Sequence, residues 1–165
     1  DRFVDPVEER VDLTIRIGGV LPAGLVARQL AVWPRYLVAS PRYVRRKGRP
    51  RRPQELAAHD YLRYAARDDS VPLSNREGSV VLDLASRYRV NSAIALLDAV
   101  HSGAGIALQP CWMVDEALRQ GRLVRLLPRW TGPAQTAHVV HAPRRRLPAR
   151  VQAVMEYLVA AVRTW

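Results

Sequence analysis

"RYRVNSAIALLDAVHSGAGIALQP", residues 87–110, holds a strand, a helix opening on Asn91-Ser92, a glycine-punctuated turn and a second apolar strand. Short polar side chains such as Asn91 and Ser92 accept hydrogen bonds from the first free N–H groups of a helix, so they mark its N-cap. Ala93, Leu96, Leu97 and Val100 then recur at helical spacing and predict one buried face over residues 92–102. Gly103 follows at the position just past the helix end, where a residue without a Cβ turns the chain most easily. The apolar "GIALQP" reads as a buried strand, so the whole stretch is a strand–helix–strand unit.

The same alternation continues outward. Upstream, "VDLTIRI" at 11–17 alternates apolar and polar residues as a strand does, and Gly18-Gly19 ends it. "LVARQLAVW" predicts a second strand and, after Pro34, "YLVAS" a short third one. Ser40-Pro41 opens a brief helix, because proline suits the first helical position, and "RPQELAAHD" predicts another. Residues 60–64 read as a strand, 65–78 as loop and strand edge, and "VVLDLASRYRV" as one or two strands around a turn near Ala85-Ser86. Downstream, "PCWMVDEALRQG" predicts a helix from Pro110 to Gly121, then "LVRLL" and "AHVVHA" predict strands. A last helix carries an apolar stripe of Val151, Val154, Met155, Leu158 and Val162. Alternating strands and helices imply an α/β fold with largely parallel sheets, which binds ligands beyond the carboxyl ends of its strands.

Composition limits the function classes. A chain of 165 residues with 48% hydrophobic content can bury one ordinary core or two small lobes. No apolar run reaches the length of a membrane span, and the charged opening "DRFVDPVEER" lacks the apolar core of a signal peptide, so a cytoplasmic location and no membrane partner are expected. Cys111 is the only cysteine, which leaves no internal disulfide. His59, His101, His138 and His141 show no metal-ligand spacing, and Ser40, Ser92 and Cys111 have no nucleophile-elbow context, so no metal, cofactor or enzymatic activity is expected. The net charge of +11 suits anionic partners. Its densest run, "RYVRRKGRPRRP" at 42–53, reads as a solvated helix end and loop, or else as a phosphate-binding track that is at most non-specific. No interleaved aromatics beyond Tyr43 and no DNA-binding motif accompany it.

Four segments in order resemble the effector-binding domain of LysR-type transcriptional regulators: "VDLTIRIG", "LVARQLAVWPRYLVASPRYVRRKGRPRRPQELAAHDYLRY", "VNSAIALLDAVHSGAGIALQPCWMVDEALRQGRLVRLLPRW" and "RVQAVMEYLVAAV". The likeness covers nearly the whole chain and rests on the order of segments. It implies a type 2 periplasmic-binding-protein-like α/β fold, two Rossmann-like lobes joined by crossover strands, with the first lobe incomplete because the family's first strand and helix are not visible before Asp1. It places the crossovers near Val32–Arg35 and Gln109–Cys111, giving lobe I as 1–35 and 109–165 and lobe II as 36–108. It further implies a ligand-sensing regulatory domain that holds a small effector, an organic anion, between the lobes to control transcription. The partners implied are a second copy, as a dimer or as a tetramer when full length, and DNA only through a winged helix-turn-helix absent from this chain. The alternative is a solute-binding protein of the same fold serving a transporter; the absence of an export signal favours the regulator.

Carried onto this chain, the resemblance assigns effector contact to the strand ends Arg16, Ile17, Gly18 and Arg63, Tyr64, and to the helix start Val90, Asn91, Ser92. Arg16 or Arg63 would pair with a carboxylate while Asn91 and Ser92 donate hydrogen bonds. Each also has a structural reading: a half-buried strand for Arg16, packing for Tyr64, capping for Ser92, and turn geometry for Gly103 and Gly105.

Overall fold

The computed structural model describes residues 11–21, 23–65, 70–86, 88–143 and 147–162. They form two compact units. Residues 33–134 make the first, and those up to 32 together with those from 135 onward make the second. The division falls inside two strands, β2 (Val26–Ala39) and β9 (Gly132–His141). The return crossing expected near Gln109–Cys111 therefore lies between Ala134 and Gln135, and residues 111–134 belong with the first unit.

Strand pairing explains that difference. β7 (Ala107–Pro110) runs antiparallel to β2, from Arg35 opposite Pro110 to Val38 opposite Ala107. β8 (Val124–Leu126) takes the other edge of the same stretch of β2, Leu37 to Ala39. Two strands paired to one segment of β2 hold residues 107–126 in its unit. A second difference follows: β2 is one strand of 14 residues running through Pro34, not two strands broken there. Proline lacks the N–H a ladder needs, and Pro34 lies just before the first residue paired with β7, where that loss is tolerated. The expected largely parallel sheets are also revised, since β2 meets β7 and β8 antiparallel and, among the described residues, β3 (Leu62–Tyr64) and β6 (Tyr88–Val90) are the one parallel pair of strands.

Side chains of β2 alternate between two layers of core. Val38 and Ala107 face Leu96, Ala99 and Val100 of α2 (Ala93–His101) and Val114 and Ala117 of α3 (Cys111–Arg119). Leu37 and Ala39 face the other way, toward Tyr43, Leu56, Tyr61, Val71, Leu73 and Leu126. Tyr43 belongs to α1 (Pro41–Lys47), which starts as expected on Ser40, whose Oγ accepts the Tyr43 N–H at 3.3 Å. "PQELAA" forms a 3-10 turn, Pro53–Ala58, in place of a regular helix. Within the stretch expected to be loop and strand edge, Ser70–Ser74 forms β4, paired antiparallel with β5 (Ser79–Asp83); residues 66–69 lie outside those described.

In the second unit, β1 (Thr14–Ile17) pairs antiparallel with β9, from Thr14 opposite Val140 to Ile17 opposite Ala137. α4 (Ala149–Val162) buries only Val151 of its predicted stripe, and Val154 is 50% exposed. Among the described residues no helix is long and apolar enough to cross a membrane.

Candidate functional site

The first unit gathers five of the assigned residues. β3 and β6 lie side by side with Arg63 opposite Arg89 and Tyr64 opposite Val90, and the Ala65 N–H donates to the Val90 carbonyl at 2.7 Å. Parallel pairing puts both carboxyl ends at one edge, and β6 leads directly into α2. Ser92, extended at φ −118° and ψ 123°, caps that helix by accepting the Ala95 N–H at 3.3 Å. Its hydroxyl is thus engaged by the backbone. Asn91 is exposed just before it, while Tyr64 and Val90 are half-buried against the α2 and α3 layer.

Arg63 is engaged inside the fold. Only 3% exposed, its guanidinium donates to the Leu84 carbonyl at 2.6 Å and lies 5.3 Å from the Tyr61 ring centre. Alternation along β3 sends it to the face opposite Tyr64, so it braces the strand from behind. Arg16, Ile17 and Gly18 sit in the second unit. Arg16 is buried on β1 opposite His138, Ile17 is exposed, and Gly18 adopts φ 69° with its N–H donating to the Thr136 carbonyl at 2.8 Å. The left-handed φ is what the turn at the end of β1 requires of Gly18.

A cluster at the base of β3 was not read from the sequence. Asp60 donates its backbone N–H to the Tyr43 hydroxyl at 2.8 Å, and that hydroxyl lies 3.2 Å from His59 Nδ1 and 3.3 Å from Asp60 Oδ2. Lys47 pairs with the Asp60 carboxylate at 3.6 Å. Burial chiefly holds the Tyr43 phenol above its usual pKa, with the neighbouring Asp60 charge adding to it. Burial also holds the His59 imidazole below its usual value, Lys47 assisting and Asp60 and Glu55 opposing. An imidazole that resists protonation when folded binds fewer protons than in the unfolded chain, so stability rises with pH through this titration. The expected result is full stability from this group above about pH 6.5, the unfolded value, and loss below it. Thermal melts between pH 7 and 5 check this: the fall in melting temperature should be smaller in His59→Gln, and equal slopes would exclude His59 as its source.

Gln109 was also missed, although a lone amide in the otherwise apolar "GIALQP" was a visible signal. It is 2% exposed and opposite Tyr36, and its Nε2 has no hydrogen-bond partner among the described residues. Nearby on β8, Arg125 lies 3.6 Å from the Tyr36 ring centre, a close cation–π contact. Cys111, which begins α3, has its thiol pushed up chiefly by burial and then by Asp115, so it is a poor nucleophile. Among the described residues no cluster of three metal-binding side chains occurs. A shallow hollow of about 230 Å³, lined by Asp12, Leu13, Arg150, Val151 and Val154, contains none of the assigned residues. It falls short of the ~300–1,000 Å³ usual for ligand pockets.

Comparison with known proteins bears on the family and the fold. The family model described as the LysR substrate binding domain matches residues 1–163. The HTH-type transcriptional regulator DmlR of Escherichia coli K12 is 35% identical over 161 residues, covering 96% of this chain and 52% of that protein. The HTH-type transcriptional activator AaeR of the same strain is 30% identical over 156 residues, covering 93% of this chain and 50% of its own length. The chain thus spans about half the length of these relatives. The regulatory domain of AphB from Vibrio vulnificus superposes with a TM-score of 0.75 at 30% identity, covering 96% of this chain and 77% of that one. The regulatory domain of CrgA from Neisseria meningitidis shares the fold, with a TM-score of 0.83 at 24% identity over 94% of this chain and 78% of that one.

Proposed function

The chain belongs to the LysR substrate-binding domain family, the regulatory effector-binding domain of LysR-type transcriptional regulators, and on that premise we propose that it senses a small organic anion. The observation that carries the ligand reading is the edge where β3 and β6 end and α2 begins, with the exposed Asn91 amide beside half-buried Tyr64. The first turn of a helix offers partly positive N–H groups to a carboxylate. An amide adds a directed donor and a phenol an apolar wall with a polar tip. The net charge of +11 draws anions toward the chain. Arg63, committed to Leu84, is left out of the contact set in favour of Asn91 and Tyr64.

Control of transcription follows from differential affinity: an effector shifts a conformational equilibrium only by as much as it prefers one state. A cytoplasmic location, assembly with further copies of the chain, and sequence-specific DNA reading by a winged helix-turn-helix domain of the full-length regulator belong to the same proposal. The test is a thermal-shift screen against aliphatic and aromatic carboxylates, with sugars and neutral amides as comparison sets. At about a hundred times Kd, a ligand bound only by the folded form adds ~2.7 kcal/mol, enough to raise the melting temperature by several degrees. The expected result is a shift from one carboxylate series that Asn91→Ala abolishes without changing the unliganded melt. A shift confined to uncharged compounds, or one untouched by Asn91→Ala, would refute the assignment.

A further inference from the structure

α1 and the strap that follows it carry Arg42, Arg45, Arg46, Lys47, Arg49, Arg51 and Arg52, all exposed. Seven cations within eleven positions would repel one another in a loose loop, yet the fold holds them in place. α1 is anchored by fully buried Tyr43 on its inner side. Gly48, at φ 82°, turns the chain out of the helix with its N–H on the Val44 carbonyl at 2.9 Å. Beyond it, Pro50 and Pro53 are buried while Arg49, Arg51 and Arg52 between and around them face solvent. Prolines fixed inward thus set the intervening arginines outward on a stiff segment.

The neutralising groups are few. Arg52 pairs with Glu55 at 3.2 Å, Lys47 with Asp60 at 3.6 Å, and Arg46 donates to the Gly103 carbonyl at 2.9 Å. Among the described residues, no carboxylate lies within ion-pair distance of the Arg42, Arg45, Arg49 or Arg51 guanidinium groups. We propose that this pinned arginine track, Arg42 to Arg52, is a contact surface for the phosphate backbone of duplex DNA. Arginine forks match phosphate oxygens in pairs, which favours phosphate over a diffuse counterion cloud. Tyr43, the one aromatic ring in the run, is fully buried, so no stacking platform is offered to unpaired bases and a duplex fits better than a single strand. The track spans at most about 25 Å, against a duplex that carries one charge per ~1.7 Å of axis. The choice of DNA as the duplex rests on the regulator reading above, since a transcriptional regulator works on duplex DNA and a phosphate contact needs no reading of its sequence.

The experiment is fluorescence anisotropy of the full chain with a random-sequence DNA duplex, from 50 to 200 mM salt. Two triple variants remove equal charge: Arg42→Gln/Arg45→Gln/Arg49→Gln within the track, and Arg28→Gln/Arg76→Gln/Arg129→Gln at exposed sites outside it. Non-specific binding in the ~10⁻⁴–10⁻⁶ M range is expected, with affinity falling steeply as salt rises. The track variant should lose tenfold or more at 100 mM salt and flatten the log–log salt slope by about 2.7, that is ~0.9 for each phosphate contact removed. The outside variant should stay within about twofold, and unchanged melting temperatures confirm that both variants fold. Equal losses in both variants, no duplex binding at 50 mM salt, or tighter binding to a single strand than to the duplex would each overturn the proposal. No effector is present in this assay, so its failure and the failure of anion sensing are read separately.

Discussion

Gly105→Ala is expected to lower the melting temperature by roughly 6–20 °C. A Cβ at Gly105 would stand 2.2 Å from the Asp60 carbonyl oxygen and 2.9 Å from Leu62 Cγ. The backbone oxygen cannot swing aside, because it accepts the Ile106 N–H at 2.9 Å while Leu62 donates to the Ile106 carbonyl at 2.8 Å. Those two bonds form the parallel bridge that joins the start of β3 to the approach to β7. Moving the strands apart by the ångström required breaks both, and each net backbone bond is worth ~1 kcal/mol before the disturbed packing of Leu62 is added. A total of roughly 3–5 kcal/mol is a large share of the ~5–15 kcal/mol that keeps a domain folded. At ~2–4 °C per kcal/mol for a chain of this size, the shift is unmistakable in a thermal melt. Gly78→Ala is the internal standard, since nothing lies within 4 Å of its added Cβ. Similar melting of the two variants would show that β3 and β7 can separate freely.

Arg63→Ala is the second large effect, and it separates bracing from ligand contact. The side chain is 3% exposed, donates to the Leu84 carbonyl at 2.6 Å and lies against the Tyr61 ring. Truncation leaves a buried carbonyl without its donor and a void where the stem was, for a combined loss of about 3–4 kcal/mol. Urea denaturation without any ligand should register it. Arg63→Lys should restore little, because one ammonium on a flexible stem cannot reproduce a planar fork lying over a ring. A variant that unfolds like the parent yet no longer responds to a carboxylate would return Arg63 to the ligand site.

The order of elements was legible because its signals are local. Ser92 before a helical apolar pattern, Ser40-Pro41 at the start of α1 and Gly103 after α2 each act within one turn, and all three appear where the sequence put them. What the sequence hid is pairing at a distance. Nothing in "LVRLL" shows that it borders Leu37–Ala39, so the resemblance alone puts the strand return near Gln109–Cys111, while the chain remains in the first unit to Ala134. Site residues divide the same way. Asn91 is exposed at the helix start as its position suggested, whereas the role of Arg63 depended on the Leu84 carbonyl, 21 positions along the chain. Alternation tells that Arg63 and Tyr64 face apart, not which of them meets solvent.

Lys47, at the last turn of α1, is the chain's only lysine and holds Asp60 at 3.6 Å. Amine-directed chemistry therefore has a single side-chain address, in the middle of the arginine track and one ion pair from the Tyr43–His59 cluster. A fluorophore coupled there needs no engineered cysteine and reports on both neighbourhoods. Duplex DNA would shield it, and acidification would alter its surroundings through His59. The same side chain offers a lysine-specific protease its one cleavage point, between Lys47 and Gly48, so the rate of that cut measures how firmly the end of α1 is held.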